Sequence, residues 1–216
     1  MRIRIIILSI AILACINVSH AQIMAYTGKP LDVDSVKNDF ENQPYFGLYK
    51  DNYFIFGPSL KNPNNTNTNI KFQISIAQRL TRSVLPWNTY LYLFYSQKCF
   101  WNVLEKSLPM TDLNFNPGIG LTKPLFVKDR FIGKLTFMIE HESNGRDSIQ
   151  SRSWNKVSLA GNIWVDPSLM VHGKVWIPII DGENNRDILH YCGIYQVGLQ
   201  VMSPNRRFSG SVIMTK

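Results

Sequence analysis

The stretch that decides the fold is Lys134-Leu135-Thr136-Phe137-Met138-Ile139-Glu140-His141-Glu142-Ser143. Leu135, Phe137 and Ile139 alternate with Lys134, Thr136, Met138, Glu140 and Glu142, the period of a β-strand with one face apolar. His141 and Ser143 complete the apolar face, while both carboxylates point the other way. Alternation recurs on either side. Ile70, Phe72, Ile74 and Ile76 oppose Lys71, Gln73, Ser75 and Ala77. Thr89 to Trp101 is aromatic, and Phe115, Ile119 and Leu121 oppose Asn114, Asn116 and Thr122. From Leu189 to Val201 the odd positions Leu189, Tyr191, Tyr195, Val197, Leu199 and Val201 oppose His190, Gln196 and Gln200. Turns at Asn62-Pro63-Asn64-Asn65, Leu85-Pro86-Trp87 and Asp181-Gly182-Glu183-Asn184-Asn185 separate these segments.

The segments have the length of membrane strands, about 9–11 residues, and aromatic residues gather near their ends as a girdle. The expectation is an all-β, antiparallel transmembrane β-barrel. A soluble β-sandwich alternates in the same way and is the competing reading. Nothing after the leader is a helical apolar run of about 18 residues, so no membrane helix is expected there.

The leader is residues 1–21. Arg2 and Arg4 precede the apolar run Ile5 to Ala14, and Ser19-His20-Ala21 offers small residues before a cut, the layout of a secretory signal peptide. An uncleaved anchor and a lipoprotein box at Ile12-Leu13-Ala14-Cys15 rank behind it. The domain proper is then 22–216, with Cys99 and Cys192 as its cysteines, read as two free buried thiols that an oxidising compartment could pair. The charge is +8, or +6 without Arg2 and Arg4, with basic residues scattered. That pattern excludes a nucleic-acid partner and suits an anionic lipid surface.

Polar groups on a lipid-facing surface are costly, so His141 and Ser143 are either interfacial residues or a site. The return strand weighs for a site. After Asn144-Gly145-Arg146-Asp147, the chain runs Ser151-Arg152-Ser153-Trp154-Asn155-Lys156-Val157-Ser158-Leu159, and Asn155, Val157 and Leu159 share a face. Hairpin pairing would set Asn155 beside His141. A hydroxyl nucleophile, an imidazole base and an amide orienter would then converge. An amide suits hydrocarbon better than a carboxylate, which would be expensive to desolvate there.

His141-Glu142-Ser143-Asn144-Gly145-Arg146 followed by Ser151-Arg152-Ser153-Trp154-Asn155 resembles the active-site signature of the outer membrane phospholipase A family. Weaker similarity covers Lys71-Phe72-Gln73-Ile74-Ser75, Tyr95-Ser96-Gln97-Lys98 and Trp101, and nearly all of the chain after the leader. The resemblance implies a twelve-stranded barrel in the bacterial outer membrane, with its active site on the lipid-facing exterior near the cell surface. It implies hydrolysis of glycerophospholipid acyl esters, of A1, A2 and lysophospholipase type, with calcium as cofactor and a homodimer as the active state.

By position, Ser143 would be the nucleophile, His141 the base and Asn155 the orienter. The N–H groups of Ser143 and Gly145 would form the oxyanion hole. The Arg146 carbonyl and Ser151 hydroxyl would bind calcium, joined by Ser107 from the partner subunit, and Gln97 would lie at the dimer interface. Glu142 stands where the family has Asp.

About nine strands are expected, starting near Tyr53, Ile70, Thr89, Asn114, Phe131, Ser153, Ser168, His190 and Arg206. Single-chain bacterial barrels have even strand numbers, so the chain reads as C-terminally incomplete. The alternative functions are a truncated, non-catalytic barrel with a structural or porin-like role, and a soluble secreted lipase. His172 and His190 are read as inward-facing polar residues, Asp181 to Asp187 as a solvated loop, and Asn62 to Asn69 as a polar turn.

Overall fold

A computed structural model describes residues 34, 38, 41–58, 64, 66–127, 130–179, 187–205 and 207–216. The leader, most of Asp181 to Asp187 and part of the Asn62 to Asn69 turn lie outside the described residues. Ten strands form one antiparallel sheet: β1 (Phe46–Leu48), β2 (Tyr53–Pro58), β3 (Thr68–Arg79), β4 (Tyr90–Trp101), β5 (Met110–Val127), β6 (Arg130–Ser143), β7 (Ser153–Trp164), β8 (Leu169–Ile179), β9 (Tyr195–Met202) and β10 (Ser209–Thr215). From β3 onward each strand pairs with the next in the chain, an up-and-down meander. Both β1 and β2 pair with β3, at Ile76–Gln78 and Thr68–Gln73, so they act as one edge strand interrupted at Tyr49–Asn52. The nine expected strands correspond to these nine rows.

The interruption turns inward. Tyr49 Oη lies 3.3 Å from Met138 Sδ on β6, and Lys50 Nζ lies 3.3 Å from Asn116 Oδ1 on β5. A flat sheet with strands about 4.8 Å apart would keep β6 some four strand spacings from this edge. The contact therefore requires the sheet to curl into an arc with a concave inner face. Among the described residues, no pairing joins β10 back to β1.

The two faces differ as the alternation demands. On β6 and β7, Phe137, Ile139, Leu159 and Ile163 are exposed on the convex face, whereas Met138, Glu140, Trp154, Lys156 and Ser158 are buried in the arc. Ile139 is 51% exposed and its neighbour Glu140 is 3% exposed. Ile74, Leu93, Ile119, Ile177 and Leu199 continue the convex apolar surface on other strands. A soluble sandwich would bury that face against a second sheet; here it is left open, as lipid requires.

The concave face holds a polar network instead. Glu140 bonds Lys174 at 2.6 Å and accepts from Ser158 Oγ. Glu142 bonds Lys156 at 2.6 Å and accepts from Asn114 Nδ2 at 2.9 Å. Ser75 and Ser96 share a 2.6 Å hydrogen bond. The desolvation of Glu140, Glu142, Lys156 and Lys174 is offset by partners within hydrogen-bond reach.

Two expectations are corrected. Leu189 to Val201 is not one strand: Ile188–Cys192 forms a short helix, α1, and β9 begins at Tyr195. His190 therefore lies exposed on α1 and is not an inward strand residue. Ile188 packs with Trp154 and Trp176, Trp176 Nε1 donates to the Gly193 carbonyl at 2.8 Å, and Gly193 at φ 63° ends the helix. Burial of one apolar side chain over the mouth of the arc overrides the local period. The strand expected at Asn114 runs from Met110 to Val127, through Pro117 and Pro124. His172 does face inward, with Met170 and Trp176 of β8. Cys99 and Cys192 are free, the first buried and the second half-buried.

Candidate functional site

The β6–β7 hairpin sets the site by register. His141 is the Cα partner of Asn155, and Ser143 is the partner of Ser153. All four belong to the convex face, so four polar side chains form a square among Ile139, Val157 and Phe115. His141 Nδ1 and Asn155 Oδ1 are 2.8 Å apart. The Asn155 oxygen can only accept, so the neutral imidazole carries its proton on Nδ1 and presents Nε2 as a lone pair. Ser153 Oγ approaches that nitrogen at 3.4 Å. Among the described residues this is the hydroxyl contact at Nε2; Ser143 stands one residue pair along, on the same face, without a hydrogen bond to the ring. Ser153 was not among the residues singled out from sequence, although it shares the parity of Asn155.

The loop between the strands is closed by Asn144. Its backbone N–H donates to the Arg152 carbonyl at 2.9 Å, and its side-chain oxygen accepts from Arg152 N–H at 2.9 Å and Arg146 N–H at 3.3 Å. Its amide donates to the Gln150 carbonyl at 2.8 Å. One residue thus ties both ends of the loop to its middle. Gly145 follows at φ 66°, a left-handed conformation, and a Cβ there would stand 2.8 Å from the Phe115 ring. The Arg146 guanidinium donates to the Thr111 carbonyl at 2.7 Å, anchoring the loop to β5.

Support comes from the concave side. Asn116 Nδ2 donates to the His141 carbonyl at 2.9 Å. Lys156, bonded to Glu142, lies 4.4 Å from the Trp154 ring centre and 5.5 Å from that of Trp176. Trp154 and Lys156 flank Asn155 in sequence, so the buried stack fixes the backbone that carries it. Glu142, the departure from the family pattern, belongs to this inner network and not to the convex face.

The oxygen donors expected to meet a cation lie on the same loop. Arg146 and Ser151 flank the 3₁₀ turn Ser148–Gln150. The Arg146 carbonyl and the Ser151 hydroxyl are hard oxygen donors of the kind that calcium takes. No cluster of three or more His, Cys, Asp or Glu side chains occurs among the described residues. Ser107, at φ 71°, is exposed on the β4–β5 loop at the same end of the sheet.

Gln97 belongs to the same transverse row as Ser143, since Gln97 pairs with Phe115 and Phe115 with Ser143. It is a polar side chain on the apolar face, accepting from Tyr95 Oη at 2.9 Å.

Comparison with known proteins agrees with this architecture. A family profile described as Phospholipase A1 matches residues 40–214. Phospholipase A1 of Escherichia coli is 35% identical over 138 residues, which cover 59% of this chain and 45% of the relative. That of Klebsiella pneumoniae is 28% identical over 222 residues, covering 90% and 76%. The chain spans about half the length of the first curated relatives it matches, 47% for the Proteus vulgaris phospholipase A1. Among solved structures, the Salmonella typhi outer membrane phospholipase dimer with bound calcium gives a TM-score of 0.64 at 24% identity, over 80% of this chain and 77% of that one. Escherichia coli outer membrane phospholipase A gives 0.64 at 23% identity, over 78% of each. At these identities the structural likeness concerns the fold.

Proposed function

Because the chain belongs to the phospholipase A1 family, we propose that it is an outer-membrane ester hydrolase that cleaves acyl chains from glycerophospholipids at the His141–Ser143–Asn155 site. The observation that carries this reading is the 2.8 Å contact between His141 and Asn155 on a face otherwise given over to exposed apolar side chains. A polar constellation there is costly unless it serves chemistry, and the lipid face is where a phospholipid acyl ester arrives.

In this reading Ser143 Oγ attacks the acyl carbonyl and His141 Nε2 takes its proton. Asn155 holds the ring with Nδ1 protonated throughout, so the lone pair faces the nucleophile. The N–H groups of Ser143 and Gly145 stabilise the oxyanion; among the described residues Gly145 N–H is not engaged by another acceptor. His141 then returns its proton to the departing alcohol, and water admitted to the acyl-enzyme is deprotonated at the same nitrogen to release the fatty acid.

Calcium is the proposed cofactor, held by the Arg146 carbonyl and the Ser151 hydroxyl, with Ser107 contributed by a second copy. When bound it would supply positive charge beside the developing oxyanion. The calcium-bound dimer of the Salmonella relative supports this reading. Gln97, on the same row of the convex face, is the proposed contact across the homodimer.

The test is fatty-acid release from phospholipid in detergent micelles by the refolded chain, with calcium and with a chelator, beside Ser143→Ala. Calcium-dependent release that disappears in Ser143→Ala is expected. Release that persists in Ser143→Ala would overturn the assignment of the nucleophile, and release indifferent to the chelator would remove calcium from the mechanism.

A further inference from the structure

Two hydroxyls stand near one lone pair. Ser143 is two residues from His141 along β6, and Ser153 is its Cα partner across on β7. The bond to Asn155 fixes the imidazole proton on Nδ1, so a hydroxyl meeting Nε2 meets it as a donor. The hydroxyl in that position is Ser153 Oγ, at 3.4 Å.

Resting on the reading of Ser143 as nucleophile, we propose that Ser153 is a positioning residue that occupies His141 Nε2 in the resting site and must yield it before Ser143 can be deprotonated. One imidazole lone pair accepts one strong hydrogen bond. While Ser153 donates to it, the proton of Ser143 has no acceptor, and its oxygen remains a weak nucleophile. Ser153 and Asn155, two residues apart on β7, meet the two ring nitrogens of His141, Nε2 and Nδ1, so that the imidazole is contacted at both while no substrate is bound. Arrival of an acyl ester, which draws Ser143 toward the carbonyl, exchanges one donor for the other. Removing Asn155 and removing Ser153 therefore have opposite consequences: the first disorients the base and the second frees it.

The experiment uses the full chain refolded in detergent micelles and an alkyl fluorophosphonate. The serine oxygen bonds to phosphorus, fluoride leaves, and the serine proton passes to Nε2. Mass spectrometry locates the label and a time course gives its rate. Labelling at Ser143 is expected in the unsubstituted chain, several-fold faster in Ser153→Ala, and back toward the original rate in Ser153→Thr, which restores a hydroxyl. An unchanged or slower rate in Ser153→Ala would overturn the inference. Ser153 is exposed, so its truncation leaves the sheet intact, which circular dichroism checks.

A second readout does not depend on turnover. In nitrogen-15 histidine spectra the His141 Nε2 resonance should move in Ser153→Ala, because a donor is lost; a stationary resonance would also overturn the inference. Failure to label Ser143 in any of the three proteins would defeat the reading of Ser143 as nucleophile, and this inference with it. Labelling of Ser143 at equal rates would defeat this inference alone.

Discussion

His141 on β6 and Asn155 on β7 are directly opposed in the ladder, and their side chains meet at 2.8 Å on the convex face, among exposed apolar side chains. They stand fourteen positions apart in the chain, and the nine-residue loop from Asn144 to Arg152 closes on a single asparagine, so their alignment depends on hairpin register and not on proximity in sequence.

Replacing Asn155 with Ala should leave the fold in place and cripple the chemistry. Asn155 is exposed, so the melting temperature should change little. Without an acceptor at Nδ1 the imidazole is free to rotate and to change tautomer, and the phospholipid hydrolysis rate should fall by about 10²-fold or more. Steady-state kinetics should place the loss in kcat rather than KM.

Gly145→Ala should damage the loop through both strain and contact. A left-handed conformation costs a side-chain-bearing residue roughly 1–2 kcal/mol, and the new methyl would meet the Phe115 ring at 2.8 Å. Hydrolysis should fall as the loop shifts. Adding Phe115→Ala should restore part of it, by removing the contact but not the strain. Equal rates in the single and double variants would show that the ring is not the obstacle.

A charge on the convex face should be far more costly than one on the concave face. Phe137→Arg, aimed at lipid from the middle of β6, should destabilise the protein by about 2–4 kcal/mol in vesicle-based denaturant unfolding. Thr136→Lys, one residue away and aimed into the arc, should cost much less. Similar losses for both would argue against a lipid-facing convex face, and the reverse order would mean that the two faces are exchanged.

The inner ion pairs should behave as coupled units. Lys174→Met leaves Glu140, which is 3% exposed, without its 2.6 Å partner and should cost about 3–5 kcal/mol. In a Glu140→Gln background the same substitution should cost at least about 1 kcal/mol less, since the charge it would strand is already gone. Additive losses in a double-mutant cycle would argue against the pairing.

The sequence by itself determined the strand faces and set His141, Ser143 and Asn155 on one of them. Period-two alternation is strictly local, because successive side chains on an extended backbone must point to opposite sides. Ile139, His141 and Ser143 could therefore be assigned together, and Glu140 and Glu142 opposite them, without coordinates. The resemblance to the phospholipase family was carried in the same local string, from His141 to Asn155.

What the tertiary structure decided depends on contacts between distant segments. The alternation from Leu189 to Val201 looked continuous, yet Ile188 gains more by packing on Trp154 and Trp176 than a strand extension would provide, so α1 forms and His190 turns to the surface. Pro117 and Pro124 weaken the local strand signal, but Pro117 pairs with Tyr95 of β4 and Pro124 with Lys134 of β6, and one neighbour at each proline carries β5 through. The partner of the His141 lone pair was likewise set by register: Ser153 lies across from Ser143 only because β6 and β7 align at His141 and Asn155. A strand's own sequence fixes which way each side chain points, and only its neighbour fixes what that side chain meets.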